Sequence, residues 1–280
     1  VRLEDTSAYA ENETLRRRVD GHMVRVHALE GATLMTIPVG ESLSSVGGRA
    51  HPTTVATLLC TLLRDALSAD VCLFNAGGIR ASREYTQHFT YGDLEAEVPF
   101  DNEVVIVRMP GRVIREAVAA SRALAPAESG AYLHVDDRVI VVGADNRVVL
   151  AAGAPLDEER PYAVAIVRNL LDGMDHIEPL VRFAKENQHL VPPVGSGREV
   201  KIVLVDAFAR ALWRRLGGFD AVDANHDGRV TQTEIAEAVA RLTRREPSEV
   251  GAALVLNTLD VKHQGAITRD ELPPEDDPGR

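Results

Sequence analysis

Residues 71–80, Val71-Cys72-Leu73-Phe74-Asn75-Ala76-Gly77-Gly78-Ile79-Arg80, join a short apolar run to a glycine-rich turn. Four consecutive apolar residues that stop at Asn and Gly are typical of a buried strand ending in a tight turn. Just upstream, apolar residues recur at helical spacing between Thr53 and Leu67, which predicts an amphipathic helix. Helix, strand and glycine turn therefore form one unit of a domain that mixes α and β structure.

Further elements follow this unit in mixed order. Apolar runs predict strands at 104–107, 139–142, 148–150 and 162–167, and helical spacing predicts helices at 112–124, 205–216, 233–243 and 248–259. Hairpins interspersed with helices favour a layered α+β fold over a doubly wound sheet. An alternating stretch at 23–29 predicts one more, half-buried strand, and the tail at 273–280 is expected to be frayed.

These patterns divide the chain into three parts. Residues 1–40 form an N-terminal connecting segment, residues 41–205 form the large α+β domain, and residues 206–280 form a small all-α domain. The helix at 205–216 would serve both domains, unless Gly217 and Gly218 separate it from the region that follows. If the helix is continuous, ligand binding in the small domain could change the orientation of the large domain.

Charge and composition restrict the partners. The formal net charge is −11 and the pI is near 5.3, which opposes binding to nucleic acid or to an anionic membrane surface. No apolar run approaches the ~20 residues of a membrane helix. The free thiols of Cys60 and Cys72 and the lack of a leader favour the cytoplasm, although the start at Val1 is compatible with a piece of a longer protein.

Residues 223–234, Asp223-Ala-Asn225-His-Asp227-Gly228-Arg229-Val230-Thr231-Gln-Thr-Glu234, match an EF-hand calcium loop. Calcium takes 6–8 oxygen ligands, and alternate residues of a tightly curled loop supply them, while Gly at the sixth position allows the turn. The predicted ligands are the side chains of Asp223, Asn225, Asp227, Thr231 and Glu234 and the carbonyl of Arg229. The alternative is an Asp- and Asn-rich turn between helices, which would not require Gly, an apolar residue and Glu at these positions together.

A second, degenerate loop occupies residues 260–271. It keeps the terminal acids, the Gly and the apolar residue, but Lys262 and Gln264 replace two ligands. A cation and a neutral amide in these places weaken calcium binding, so this loop is expected to be a structural partner. In such pairs Val230 would lie across a short strand pair from Ile267.

The turn from Asn75 to Arg80 could bind an anion. Backbone amides exposed by Gly77 and Gly78, followed by a guanidinium, suit a phosphate or carboxylate. A structural turn followed by a surface Arg would read the same way. The hexamer alone therefore leaves both interpretations open.

A longer series of motifs extends this pattern. In order along the chain they are Asn75 to Arg80, Tyr91-Gly92-Asp93-Leu94, Val98-Pro99-Phe100-Asp101-Asn102, Gly111, and Ser129-Gly130-Ala131-Tyr132. The series resembles the C-terminal domain of the 5'-nucleotidase family over about residues 41–216. The resemblance implies an α+β domain that binds the nucleotide beside a separate N-terminal metallophosphoesterase domain with two metal ions. Family members often act outside the cytoplasm, so the compartment stays open.

The resemblance also implies site residues. Arg80 and Arg49 match arginines that hold the substrate phosphate or ribose, Phe100 matches one of two rings that sandwich the base, and Asp175 is placed to meet the ribose. Asn75, Gly77, Gly78, Asn102 and Gly130 match the rest of the pocket. The chain departs from the family at 169–176, where Leu170 stands in place of the second aromatic and Met174 and His176 break a Gly-Gly-Asp-Gly run.

Asp20-Gly21-His22, followed by His27, lacks the ligand spacing of the family's Asp-x-His motif, and neither Gly-Asn-His-Glu nor Gly-His-x-His occurs in the sequence. Phosphoester hydrolysis in this family depends on metal ions, so the chain is not expected to hydrolyse nucleotides by itself. We expect the substrate-binding part of a 5'-nucleotidase-like hydrolase, joined to a calcium-binding pair of loops. The alternatives are a non-catalytic calcium sensor that keeps a vestigial nucleotide pocket, and a calcium buffer in which the larger domain is only a scaffold.

Overall fold

The structure is a computed structural model that describes residues 4, 5, 7 and 9–277, and it contains both helices and short strands. The helices are α1 (Glu13–Glu30), α2 (Thr54–Ala66), α3 (Tyr91–Glu97), α4 (Gly111–Ser121), α5 (Glu178–Glu186), α6 (Val200–Leu216), α7 (Phe219–Val222), α8 (Gln232–Thr243) and α9 (Glu249–Leu259). The strands are β1 (Thr33–Thr36), β2 (Leu43–Ser44), β3 (Val71–Asn75), β4 (Glu84–Tyr85), β5 (His88–Thr90), β6 (Glu103–Pro110), β7 (Leu133–Val135), β8 (Ile140–Val142), β9 (Arg147–Ala151), β10 (Ala154–Pro155), β11 (Pro161–Val167), β12 (Arg198–Glu199), β13 (Val230–Thr231) and β14 (Ala266–Ile267). Among these, no helix is long and apolar enough to cross a membrane.

A mixed sheet of five strands, in the order β12-β6-β11-β3-β7, forms the centre of the large domain. β11 runs parallel to β3 and antiparallel to β6. Together with the helices that pack on this mixed sheet, these directions confirm the predicted α+β fold of the domain. All five residues of β3 are buried, which explains why this strand reads as a continuous apolar run. The amphipathic face of α2 packs on it through Val55, Leu59 and Leu63. The predicted unit of helix, strand and glycine turn is thereby confirmed.

The prediction of a strand at 23–29 is wrong, because these residues belong to α1. The side chain of Asn12 accepts a hydrogen bond from Leu15 N and caps the helix. No residue of α1 is buried, so the alternation of apolar and polar residues at 23–29 reflects no half-buried sheet surface. The following strand, β1, pairs with β5.

Helix α6 belongs to two hydrophobic cores. Val203 and Phe208 in its first half pack in the core of the large domain. Leu212 and Trp213 in its second half pack with α8 and α9 in a smaller core. The helix ends at Gly217 and Gly218, which have φ angles of +99° and +77° that favour glycine. The boundary predicted between residues 205 and 206 therefore falls inside a helix that both parts share.

The C-terminal part joins its two loops through a short strand pair. Val230 lies opposite Ile267, as the sequence predicted. The prediction of a frayed tail is wrong for residues 273–277, while residues 278–280 lie outside the described residues. Asp276 is 1% exposed, and its carbonyl accepts a 2.7 Å hydrogen bond from Trp213 Nε1. The tail thus closes the smaller core.

Candidate functional site

The turn that follows β3 brings together four residues from distant parts of the sequence. Asn75 Nδ2 donates a 2.6 Å hydrogen bond to Asp175 Oδ2, and Gly77 N donates a 2.8 Å hydrogen bond to the carbonyl of Gly130. Asn75 is 3% exposed, and its Oδ1 has no hydrogen-bond partner among the described residues. The site therefore holds a buried acceptor that a ligand hydroxyl or amine could satisfy.

Close packing explains why this turn needs glycine. A Cβ added at Gly77 would lie 3.0 Å from Asn75 Nδ2 and 3.4 Å from the carbonyl oxygen of Gly130. A Cβ at Gly78 would lie 2.7 Å from the ring of Phe74. Without side chains at these positions, the backbone of the turn can approach both the Gly130 segment and the core.

Arg80 and Phe100 form the outer wall of the turn. The Arg80 guanidinium lies 5.7 Å from the centroid of the Phe100 ring, within the range of a cation–π contact. Phe100 is 45% exposed, so part of its ring remains open to a ligand. Among the described residues Arg80 has no ion-pair partner.

A buried glutamate, which the sequence interpretation missed, fixes the segment that carries Arg80. Glu97 is fully buried, and its carbonyl accepts a 2.9 Å hydrogen bond from Arg80 N. Its carboxylate accepts hydrogen bonds from Ala81 N at 3.2 Å and from Tyr85 Oη at 2.8 Å. Burial, and then this carboxylate, raise the pKa of Tyr85 far above its usual value. The signal available in the sequence was only a charged residue next to the Val98-Pro99 motif.

Both predicted arginines line one cleft of about 270 Å³. The cleft is lined by Ser45, Gly47, Gly48, Arg49, Ala76, Ile79, Arg80, Ser82 and Glu128. The Arg49 carbonyl accepts a 2.9 Å hydrogen bond from Ser129 N, which ties this wall to the Gly130 segment. Two guanidinium groups in a small polar cleft suit a phosphate or another anion, and Glu128 offsets part of their charge.

The sequence profile of the 5'-nucleotidase C-terminal domain matches residues 31–182, more than half of the chain. The chain belongs to this family. No curated protein sequence matches it.

Solved structures share the fold of this nucleotidase domain. The 5'-nucleotidase precursor from Thermus thermophilus has a TM-score of 0.54 and 21% identity, over 72% of this chain and 41% of that one. A candidate 5'-nucleotidase from Staphylococcus aureus in complex with alpha-ketoglutarate has a TM-score of 0.51 and 16% identity, over 73% and 42%. The sulfate thiohydrolase SoxB from Thermus thermophilus in complex with glycerol has a TM-score of 0.50 and 16% identity, over 72% and 36%. The chain thus spans about two fifths of the length of these proteins.

Neither Asn102, which the resemblance places in the pocket, nor Leu170 has a hydrogen bond to Asn75, Gly77, Gly130 or Asp175 among the described residues. The carbonyl of Asn102 accepts a 2.9 Å hydrogen bond from Val200 N and so joins the start of β6 to α6. Leu170, in place of the second aromatic, is completely buried. The side chain of Leu170 therefore offers no surface to a base, whereas its neighbour Asn169 is exposed.

A buried histidine lies behind the cleft. His134 is 2% exposed, and its Nε2 has no hydrogen-bond partner among the described residues. A Cβ at Gly48 would lie 3.5 Å from this nitrogen. Burial, and then the Arg122 guanidinium, lower the pKa of His134 to about 3. The ring is therefore neutral at pH 7 and supports the Gly48 wall without adding charge.

The turn that carries Asp175 adopts backbone angles that favour glycine. Asp175 and His176 have φ angles of +61° and +53°. The family resemblance implies Gly at the position of His176, whose side chain is exposed and whose backbone N donates a 3.1 Å hydrogen bond to the carbonyl of Gly173. A non-glycine residue in this region is strained by roughly 1–2 kcal/mol. The nucleotidase domain therefore holds Asp175 in place against local strain.

We expect His176→Gly to raise the free energy of unfolding by about 1 kcal/mol, because glycine adopts φ near +53° without a Cβ clash. Urea denaturation followed by circular dichroism measures the change. His189→Gly is the control, since His189 is also exposed but does not have a positive φ. That substitution should lower stability by up to about 1 kcal/mol. Equal effects of the two variants would show that His176 is unstrained.

In the first loop, at residues 223–234, two carboxylate oxygens have no hydrogen-bond partner among the described residues. Asp223 Oδ2 accepts a 3.1 Å hydrogen bond from Gly228 N, and Glu234 Oε2 accepts a 2.9 Å hydrogen bond from Thr231 N. Asp223 Oδ1 and Glu234 Oε1 are buried and have no hydrogen-bond partner among the described residues. Buried carboxylate oxygens in this state are costly unless a donor or a cation satisfies them.

The side chains of the middle of this loop turn towards its own backbone. Asn225 Oδ1 accepts a 2.8 Å hydrogen bond from Asp227 N, and Asp227 Oδ1 accepts a 2.9 Å hydrogen bond from Arg229 N. Within the described ranges, no group of three or more His, Cys, Asp or Glu side chains is arranged to hold a metal ion.

The second loop satisfies its own acids. Asp260 accepts hydrogen bonds from Gln264 N at 2.9 Å and Gly265 N at 2.7 Å. Glu271 accepts from Lys262 N and from Thr268 N, both at 2.8 Å. The Lys262 ammonium pairs with Asp270 and lowers the pKa of that carboxyl to about 2. Two of these bonds, from Gln264 N to Asp260 and from Lys262 N to Glu271, have no counterpart in the first loop, and a cation entering the second loop would have to displace them.

Proposed function

We propose that the nucleotidase domain binds a nucleotide or a related phosphoester at the turn between Asn75 and Arg80. The observation that carries this proposal is the junction of Asn75, Gly77, Gly130 and Asp175 beside the cleft of Arg49 and Arg80. The two guanidinium groups would bind phosphate oxygens, and the buried Asn75 Oδ1 would accept a hydrogen bond from the ligand. Family membership supports the same class of ligand.

The base of such a ligand would stack on one ring only. Phe100 is exposed and can pack against a purine or pyrimidine, but Leu170 is buried and supplies no opposite face. Stacking on a single aromatic contributes about 1–3 kcal/mol and discriminates poorly between bases. We therefore propose that phosphate contacts dominate affinity and that selectivity among bases is weak.

Hydrolysis would need a second domain. The longer relatives with this fold include a 5'-nucleotidase precursor, of which this chain spans 41%. We propose that a metallophosphoesterase domain, N-terminal in the parent protein, supplies two divalent metal ions and the attacking water. This chain would then bind and orient the substrate.

Replacing Arg80 by Ala should weaken nucleotide binding by about 10–100-fold, because a hydrogen-bonded charge contributes about 1.5–3 kcal/mol. Isothermal titration calorimetry with AMP, GMP, CMP and UMP measures the change. Small differences among the bases of the wild type are expected from the single ring.

The matched control is Arg108→Ala. Arg108 is an exposed arginine that lines a different groove, beside Arg112 and Arg182. Arg108→Ala should change the affinity for nucleotide by no more than about twofold. It removes the same positive charge as Arg80→Ala, but from a position outside the site. If both variants lose the same affinity, overall charge rather than this turn controls binding, and if the wild type binds no nucleotide the proposal fails.

We also propose that the loop at 223–234 binds one calcium ion through Asp223, Asn225, Asp227, Arg229, Thr231 and Glu234. The unpartnered, buried oxygens of Asp223 and Glu234 support this assignment, and so does the short strand pair that joins the two loops. The second loop, with its acids satisfied, would serve as a structural partner. Calcium titration of the chelator-treated chain should give one equivalent, whereas two equivalents of similar affinity, or none, would contradict the proposal.

Calcium at this position would stabilise structure rather than take part in chemistry. The loop follows α6 after the glycine pair, and α7 packs in the smaller core with the second half of α6. The first half of α6 packs in the core of the nucleotidase domain. Ordering the loop would therefore strengthen the packing of a helix on which both parts depend.

A further inference from the structure

Arg122, at the C-terminal cap of α4, is a buried arginine without a carboxylate partner. It is one of three buried arginines among the described residues, and the other two, Arg64 and Arg168, form ion pairs with aspartates. Arg122 is 3% exposed and makes no ion pair within the described ranges. A buried charge is costly unless an opposite charge balances it. Arg122 therefore lacks the counter-charge that the other two arginines have.

The contacts of the Arg122 guanidinium supply only partial charges. Its Nε and Nη2 donate hydrogen bonds of 3.0 Å and 2.7 Å to the carbonyl of Leu133, and it lies 4.6 Å from the centroid of the Tyr132 ring. The C-terminus of α4 adds a fraction of a negative charge. Burial lowers the pKa of Arg122, and the groups that favour its charge are Tyr132 and Cys60 rather than a carboxylate. These contacts fix the position of the guanidinium but leave much of its charge unbalanced.

Two aromatic side chains connect Arg122 with the cleft beside the β3 turn. The ring of Tyr132, which contacts Arg122, lies 5.2 Å from the ring of His134. His134 Nε2 would lie 3.5 Å from a Cβ at Gly48, and Gly48 lines the cleft. The carbonyl of Tyr132 also accepts a 2.9 Å hydrogen bond from the backbone N of Ala76, a second residue of the cleft wall. The guanidinium therefore lies behind this wall, across a layer of uncharged rings.

We propose that Arg122 is a positioning residue of the cleft lined by Arg49 and Arg80, and that an anion bound there balances its buried charge. The anion is the phosphate of the ligand, so this assignment rests on the proposed function of the cleft. The protein interior screens the attraction less than water does. At an effective dielectric constant near 20, opposite charges about 10 Å apart change affinity by roughly fivefold to tenfold for each unit of ligand charge.

Arg122→Gln tests this role, because it removes the charge and keeps a donor. The amide nitrogen of glutamine stands at the same distance along the side chain as arginine Nε, so it can still donate to the carbonyl of Leu133. AMP carries nearly two negative charges at pH 8, and its phosphate methyl ester carries one. Isothermal titration calorimetry should show a loss of about 25-fold for AMP and about fivefold for the ester. The ratio of the two affinities then falls about fivefold, which a merely structural role would not cause.

Two further variants separate charge from packing. Arg122→Lys keeps the charge and should retain the wild-type ratio of affinities within about twofold, even where both affinities fall. Arg108→Gln is the matched control, because it removes the same charge from an exposed position beside a different groove. It should also leave the ratio within about twofold. If circular dichroism shows that Arg122→Gln does not fold, Arg122→Met takes its place as the neutral variant.

Each contrary result has a distinct meaning. An unchanged ratio in the neutral variant, with normal binding by the wild type, would refute the role of Arg122 and leave the proposed function intact. An equal fall of the ratio in Arg108→Gln would assign the effect to net charge. Unfolding of both neutral variants would show that the charge supports the fold itself and would also overturn the proposal. If the wild type binds neither ligand, the proposed function fails first, and the role of Arg122 fails with it.

Discussion

Replacing Asp136 by Ala is expected to lower the free energy of unfolding by about 3–5 kcal/mol. Asp136 and Arg64 form a buried ion pair, with side chains 0% and 2% exposed and a 2.6 Å contact between Asp136 Oδ1 and Arg64 Nη1. Asp136 Oδ2 also accepts a 2.8 Å hydrogen bond from Cys72 N, at the start of β3. Its loss would leave a buried guanidinium and a buried amide of the central sheet without their partner.

The neighbouring carboxylates cannot replace Asp136. Although burial disfavours the charge of Arg64, the hydrogen bonds that Arg64 donates to Asp137, Asp136 and Asp65 outweigh this effect and raise the pKa of Arg64 above its usual value. Asp137 and Asp65 are each 57% exposed, so water screens their contribution. The guanidinium therefore depends mainly on the one partner that is buried with it.

Asp137→Ala is the control, since it removes a carboxylate from the same arginine at an exposed position and should cost less than about 1 kcal/mol. The double variant Arg64→Met, Asp136→Leu should be more stable than Asp136→Ala, because it leaves no buried charge unpaired. Guanidinium chloride denaturation compares the free energies of unfolding of all four proteins. Equal losses for Asp136→Ala and Asp137→Ala would refute the importance of burial here.

The sequence predicted the buried strand β3 and the helix α2 that packs on it, but not the exposed helix α1. β3 and α2 are surrounded by other elements, so their apolar residues follow the strand and helix periods. α1 has no buried residue, so packing imposes no period at 23–29 and the alternation there misled the interpretation. The helix has an Asn12 cap whose signal lies outside the misread stretch.

The arrangement of the candidate site was predictable only in part. The turn after β3 is a local pattern, and its glycines and Arg80 could be read from one hexamer. The contact between Asn75 and Asp175 spans 100 residues, and no local pattern encodes it. Resemblance to the family paired these residues, but it could not show that Leu170 faces the core, because burial depends on packing between distant elements.

Chelation of calcium is expected to lower the melting temperature of the wild type and of Glu271→Gln, but not that of Glu234→Gln. A ligand that binds only the folded state stabilises it by about 2.7 kcal/mol at 100 times its dissociation constant. Glu234 and Glu271 occupy the same position in the two loops, and each carboxylate accepts a hydrogen bond from a Thr amide three residues earlier. A glutamine oxygen can keep that bond, so both variants should remain folded without calcium.

Glu234 and Glu271 differ in the hydrogen bonding of their second carboxylate oxygen, Oε1. Glu234 Oε1 is buried without a partner, whereas Glu271 Oε1 already accepts from Lys262 N. Removing the charge of Glu234 therefore removes one of the strongest ligands of the proposed site, and we expect calcium affinity to fall at least about 100-fold, or about 2.7 kcal/mol. The same change at Glu271 affects a carboxylate that Lys262 and Thr268 already satisfy. Differential scanning calorimetry in calcium and in EGTA separates the cases, and loss of the calcium effect in Glu271→Gln alone would assign the metal to the second loop.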